Sequence, residues 1–174
     1  MPGGPPSDLS GLEIQALLHP MPAERLDRLG RLHGLAFEEG WSASSLETLL
    51  KTPGCGAFLA VLNRSASPPV DGGFLLYRRA ADEAEIITLA VDPALHRGGI
   101  GRHLCNHVLT WAMASGITEL HLEVAETNRP AIALYRQLGF LERGRRSDYY
   151  RSETSPENQA ITAILMGRSV GKLE

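Results

Sequence analysis

The stretch LAVDPALHRGGIG, residues 89–101, holds the residues whose types and spacing speak most directly of chemistry. An apolar run ends at Asp92-Pro93. A basic, glycine-rich segment follows at once, ahead of a pattern that reads as a helix. A helix start leaves several backbone N–H groups unpaired and carries partial positive charge. A glycine turn leading into it lets the backbone approach a phosphate closely. Gly98, Gly99 and Gly101 supply that access, and Arg97 and Arg102 add charge suited to phosphate oxygens. The two standard phosphate fingerprints do not fit. There is no Gly-Lys-Ser/Thr ending, and no third glycine follows Gly99-Ile100-Gly101 at dinucleotide spacing. On this local pattern two readings stay open: an anion site at a helix start, and a glycine turn with no ligand.

Other titratable residues carry weaker signals. His103 and His107 lie one helical turn apart with Cys105 between them, a spacing that could hold a metal. No third ligand stands nearby in a convincing pattern, so a solvated helix face is the better reading and no metal is expected. Cys55 and Cys105 read as free thiols of a reducing cytoplasm, with Cys105 a small apolar filler inside its helix. His121 alternates with Leu120 and Leu122, on the Glu123 side of a strand. Lining a site and sitting hydrogen-bonded and partly buried are equally good readings of it. Taken alone, Glu123 reads as an outward-facing strand residue, and Tyr135 as a core aromatic sharing a helix face with Ala131 and Leu138.

The elements that must position these residues follow from periodicity. LEIQALL has apolar residues at Leu12, Ile14, Ala16 and Leu18, which predicts a first strand. Leu26, Leu29, Leu32, Leu35 and Ala36 repeat with a helical period after Pro22. Ser42 is a candidate N-cap for a short second helix stopped by Pro53-Gly54. AFLAVLN, GGFLLYRR and AEIITLAV read as three strands, separated by RSASPPVD and AADE, connections short enough for an antiparallel meander. RHLCNHVLTWAMASG reads as a helix with Leu104, Val108, Trp111 and Ala112 on one face and Gly116 as C-cap. ELHLEV is a buried strand. NRPAIALYRQLG is a helix with Asn128 as N-cap, Pro130 in its first turn and Gly139 just past its end. FLERGRRSDYY and AITAILM predict a closing hairpin. The strand–helix–strand unit over residues 86–124 requires two parallel strands. The expected class is therefore α/β (α+β): a mixed, mostly antiparallel sheet of about seven strands, with helices on both faces.

Composition bounds the partners. The chain has 174 residues, 43% apolar and 21% charged, with a net charge of −3. That fits a single domain over residues 11–174 behind a disordered tail at 1–10, where MPGGPPSD lacks the features of a signal peptide. The negative charge argues against a general nucleic-acid or anionic-membrane binder, while YRRA, LHRGGIGRH and LERGRRSDYYR leave room for a local basic patch. No apolar run reaches the ~20 residues a bilayer span needs. A cytoplasmic protein, monomeric or weakly dimeric, is expected.

The downstream residues sharpen the glycine segment. HRGGIG resembles the pyrophosphate loop, Q/R-x-x-G-x-G/A, of the GNAT superfamily of N-acetyltransferases. Together, AEIITLAVDPALHRGGIGRHL, LHLEVAETNRPAIALYRQLGF and the later Tyr-Tyr pair resemble the RimI-type bacterial enzymes that acetylate the N-terminal alanine of a small-subunit ribosomal protein. AFEEGWSASSLETLL is similar to that branch's substrate-side loop and helix, and the resemblance spans roughly residues 12–167. It implies a fold whose central parallel pair of strands splays to receive acetyl-CoA. It also implies that the backbone of Leu89, Ala90 and Val91 bonds the pantetheine arm, as an added strand would. The loop Arg97, Gly98, Gly99, Ile100, Gly101 and Arg102 would wrap the pyrophosphate, and Asn128 would touch the cofactor near its acetyl end. Glu123 would be the base, helped by burial among apolar neighbours, and Tyr135 the acid. A water could relay the proton to Glu123. Trp41 would lie on the acceptor side. Direct attack on the thioester leaves no role for Cys105.

The leading expectation is acetyl transfer to a protein or peptide N-terminal α-amine, a ribosomal protein being the natural candidate. A second keeps the fold and cofactor but takes a lysine side chain, a polyamine or another small amine. A third is a CoA-binding regulatory module without turnover. Three departures from the family pattern bear on these. His96 stands where glutamine or arginine opens the loop, with donation to phosphate still open to it. Gly40 replaces a proline before Trp41-Ser42, which is expected to loosen that loop. SETSPENQAI, although it holds Glu153 and Glu157, lacks the acidic residue often found there in the family.

Overall fold

The computed structural model describes residues 9–17, 19–64, 67–151 and 160–171. The elements run β1 (Leu12–Leu17), α1 (Ala23–Ala36), α2 (Ala43–Lys51), β2 (Cys55–Arg64), β3 (Ser67–Ala80), β4 (Glu83–Val91), α3 (Ile100–Ala114), β5 (Glu119–Ala125), α4 (Arg129–Gln137), β6 (Leu141–Arg151) and β7 (Ala160–Ser169). Hydrogen bonding orders the strands β1-β2-β3-β4-β5-β7-β6. This is the mixed, mostly antiparallel seven-stranded sheet expected, with β4 and β5 its parallel pair. By internal contacts the chain divides into two units, one of the described residues up to Arg79 with Ile87–Val108, the other of Ala80–Ile86 with the described residues from Leu109 onward.

In the first unit, Leu26, Leu29 and Leu32 of α1 and Leu46 and Leu50 of α2 are buried in one cluster with Ala57, Leu59 and Val61 of β2, Phe74 and Leu76 of β3 and Ala90 of β4. Full burial of one such leucine stabilises the fold by roughly 1.5–3 kcal/mol. β2 is buried without a break from Ala57 to Leu62, so both of its faces are covered. Successive strand side chains point to opposite faces. The odd-numbered residues meet α1 and α2, while Phe58 meets His107 of α3 edge-on at 4.6 Å. Helices therefore cover both faces here.

Three expectations are corrected in this unit. Leu35 is 61% exposed. It lies nine residues after Leu26, half a turn from it at 100° per residue, and His33 takes the inward position instead. The alternation in β1 fails at its end, where Ala16 is exposed and Leu17 buried, and Leu18 lies outside the described residues. Most of RSASPPVD is strand rather than connection, since β3 begins at Ser67. Pro68 and Pro69 sit where the register shifts between Leu62 and Arg64, so their missing N–H groups fall at a bulge. The N-terminal tail through residue 8 and the segment 152–159, most of SETSPENQAI, also lie outside the described residues.

In the second unit, β4 pairs with β5 from Glu83↔Glu119 to Ile86↔Leu122, and the parallel ladder ends there. β5 continues on its other side against β7, from Glu119↔Ser169 to Ala125↔Ala163. β6 and β7 form the expected hairpin, with β7 the strand beside β5. Gly116, at φ 73°, closes α3 as expected, with Ile117 N–H donating to Ala112 O at 2.9 Å. Asn128 caps α4 by accepting from Ala131 N–H at 3.2 Å.

Candidate active site

The glycine segment lies in the first unit, between the end of β4 and α3. A 3-10 turn, Pro93–Leu95, is capped by Asp92, whose side chain accepts from Ala94 N–H at 2.9 Å. Arg97 and Gly99 then adopt left-handed backbone, φ 63° and 91°. The first α-helical bond of α3 is His103 N–H to Gly99 O at 3.0 Å, so the N–H groups of Ile100, Gly101 and Arg102 precede it. Alternating backbone handedness ahead of a helix start gathers N–H groups into a concave nest suited to anionic oxygens. Arg97 is exposed and has no hydrogen-bond or ion-pair partner among the described residues. His96 turns back toward the strand, its Nε2–H donating to Val91 O at 3.1 Å. This bond tethers the loop to the strand. Leu89, Ala90 and Val91 lie beyond the end of the β4–β5 ladder, with Ala90 fully buried and its two neighbours partly so.

Glu123, Asn128 and Tyr135 lie in the second unit. Glu123, on β5, is not surrounded by apolar groups alone, since Nη2 of Arg146 on β6 lies 3.2 Å from its Oε1. Its Oε2 is buried and has no hydrogen-bond partner among the described residues. A buried carboxylate oxygen left unsatisfied is costly, and such atoms mark a place for a donor. Asn128 begins α4 with its Oδ1 committed to the helix cap. Tyr135, two turns on, is 6% exposed and packs edge-on against Phe140, ring centroids 5.8 Å apart.

A family model described as "Acetyltransferase (GNAT) family" matches residues 26–140, more than half of the chain. The chain belongs to the acetyltransferase (GNAT) family. It is 38% identical over 91 residues to the [ribosomal protein bS18]-alanine N-acetyltransferase of Salmonella typhimurium, covering 52% of this chain and 62% of that one. The match thus spans less than two thirds of that relative's length. The crystal structure of the ribosomal-protein-S18-alanine N-acetyltransferase from Escherichia coli superposes with a TM-score of 0.78 at 26% identity, over 94% of this chain and 96% of that one. Arabidopsis thaliana NAA60, solved in complex with acetyl-CoA, shares the fold at a TM-score of 0.74 and 18% identity, over 91% and 98% of the two chains.

In this acetyltransferase-family chain the remaining sequence candidates find structural places. Cys105 is fully buried and its thiol is pushed up to about 12 by desolvation, which suits an inert filler. His107 packs on Phe58, and burial lowers its pKa. His121 Nε2 lies 3.5 Å from Glu83 Oε2 at the start of β4, a paired, partly exposed side chain.

Residues that sequence reasoning passed over complete the site's support. A Cβ on Gly73 would lie 2.8 Å from Ala90 O and 3.2 Å from Ile100 Cγ2, so this glycine lets β4 and the start of α3 close in. The signal was the glycine pair opening GGFLLYRR. His33 is 3% exposed, stacks on Trp41, and accepts Trp41 N–H on Nδ1 at 3.0 Å. The loop leading to Trp41 is not loosened by Gly40. A Cβ there would lie 2.5 Å from Gly34 Cα, so glycine is what lets the loop press against α1.

Proposed function

We propose that this chain transfers the acetyl group of acetyl-CoA to a protein N-terminal α-amine, of the kind borne by a ribosomal protein beginning with alanine. The observation that carries this reading is the likeness to the E. coli S18-alanine enzyme over 94% of the chain. It is supported by the family model and by the Salmonella relative's name.

The residues at the start of α3 fit the cosubstrate. Left-handed Arg97 and Gly99, with the N–H groups of Ile100, Gly101 and Arg102, would hold the pyrophosphate, and the edge of Leu89–Val91 the pantetheine amides. His96 already engages the Val91 carbonyl, so the pantetheine arm shares that edge with a protein side chain. Acetyl-CoA supplies an acyl thioester activated toward amines. Glu123 accepts the proton that the acceptor ammonium must lose, directly or through a water. Its buried Oε2, without a hydrogen-bond partner among the described residues, suits that task. The Tyr135 hydroxyl supplies the proton that the departing sulfur gains. The N–C bond forms as the C–S bond breaks, and the second proton the nitrogen then sheds restores the Tyr135 hydroxyl, leaving an acetylated amine and a free thiol. Cys105, with its thiol pushed up to about 12, takes no part.

Release of CoA thiol against a peptide panel tests the proposal. Turnover of Ala-starting peptides above that of internal lysines and spermidine is expected. Release with spermidine but none with Ala-starting peptides would reassign the acceptor. Binding of acetyl-CoA with no release toward any amine would make the chain a CoA-binding module.

A further inference from the structure

We propose that His33 is a positioning residue for the acceptor side of the transfer, its ring clamping Trp41 to Thr88. The inference rests on the acetyltransferase reading and on the acceptor-side role that the family resemblance implies for Trp41.

The geometry defines the state of the ring. Trp41 N–H donates to Nδ1 at 3.0 Å, which makes Nδ1 an acceptor and leaves the ring proton on Nε2. Nε2–H then donates to Thr88 Oγ1 at 3.3 Å. Phe37 stacks at 4.4 Å and 28°, and Trp41 at 4.6 Å and 11°, two near-parallel contacts that require opposite faces of the imidazole. Phe74 lies 6.2 Å away, tilted by 42°. None of these partners carries a charge. Burial lowers the His33 pKa to about 4, so at neutral pH the ring keeps the uncharged tautomer that both bonds need.

An aliphatic side chain would fill the same space. What the imidazole adds is direction. Its bond to a backbone N–H sets where the Trp41 indole lies, and its second bond reaches the residue immediately before Leu89–Val91 on β4. The close approach of Gly40 to Gly34 seats the loop that carries Trp41. A single neutral ring thus joins the loop assigned to the acceptor to the strand segment assigned to the cosubstrate.

The test compares His33→Phe, which keeps the stacking ring but has no ring nitrogen, with His33→Gln, which retains one acceptor and one donor. With an Ala-starting peptide, His33→Phe should raise the acceptor KM by roughly five- to tenfold, the worth of about one hydrogen bond. The acetyl-CoA KM and kcat should stay within about twofold, and His33→Gln should recover most of the loss. An unchanged acceptor KM in His33→Phe would overturn the proposal. So would equal changes in both KM values with no recovery by glutamine. If His33→Phe does not fold, Thr88→Val cuts the second bond alone, and an unchanged acceptor KM there counts against the clamp. If the wild-type chain acetylates no amine, the acetyltransferase reading fails separately. The clamp is then read from the Trp41 amide proton shift, which should move in His33→Phe and return in His33→Gln, and an unmoved shift overturns it.

Discussion

Arg146 on β6 reaches Glu123 on β5 across the intervening strand β7, bringing Nη2 to 3.2 Å from Oε1. Its own register partner on β7 is Ala163, a small, fully buried residue that leaves the long side chain room to cross. The guanidinium holds one carboxylate oxygen, while the other is buried without a hydrogen-bond partner among the described residues.

Glu123→Gln should lower kcat by roughly 10²-fold, the lower end of what a positioned base contributes, with acetyl-CoA affinity unchanged. Arg146→Lys should stay near wild type. Arg146→Ala removes the charge beside Oε1 and should cost roughly 1 kcal/mol of stability, since the arginine is half exposed. Thiol-release kinetics, calorimetric titration with CoA and urea unfolding separate these outcomes. Unchanged turnover in Glu123→Gln would remove it from the chemistry.

Tyr135→Phe keeps the ring that packs on Phe140 and loses only the hydroxyl. Turnover should fall by about 10²-fold while stability changes by only about 1 kcal/mol. Tyr135→Ala would confuse the two effects, because truncating a buried aromatic costs about 3–5 kcal/mol. Steady-state kinetics beside thermal melts distinguish loss of an acid from loss of core.

Two glycines should fail in different ways. At Gly73 an alanine Cβ would meet Ala90 O at 2.8 Å, so Gly73→Ala should cost roughly 1–3 kcal/mol and lower Tm by about 2–4 °C per kcal/mol. At Gly99 a Cβ would meet, among the described residues, only Leu9 Cδ1, at 3.4 Å, and the left-handed φ of 91° is the obstacle. Gly99→Ala should cost about 1–2 kcal/mol, through backbone strain, and weaken CoA binding by roughly tenfold as the N–H groups turn away. Unchanged CoA affinity in Gly99→Ala would mean that this loop does not hold the pyrophosphate.

Acid should weaken the fold through His33. Burial lowers its pKa from 6.5 to about 4. Below about pH 6.5 the unfolded chain takes up a proton that the folded chain refuses until about pH 4. The unfolded state therefore binds more protons in that window. The stability present above pH 6.5 is lost as pH falls toward 4. The urea midpoint of wild type should fall more steeply across this window than that of His33→Gln, which does not titrate. Coincident slopes would show that His33 is not held neutral.

What the sequence by itself determined is whatever local chemistry decides. Asn128 and Pro130 mark the start of α4, and Gly116 the end of α3, because caps act over one helical turn. The features that suit the glycine loop to an anion are local in the same way: its N–H groups, its glycines and its arginines lie within seven residues of one another, His96 to Arg102. The parallel pair was legible too, since a strand, a helix and a strand in succession leave little other choice.

Only the tertiary structure decided which distant residues meet. It placed β7 rather than β6 beside β5, and so brought Arg146 to Glu123. It set Gly73 against Ala90, and it turned Leu35 outward while taking His33 inward, to a threonine 55 residues away. Periodicity assigns faces from hydropathy, so a histidine in an apolar stripe reads as exposed. Its burial becomes affordable only when an N–H and a hydroxyl from other elements satisfy both ring nitrogens, and no local pattern in the chain encodes that meeting.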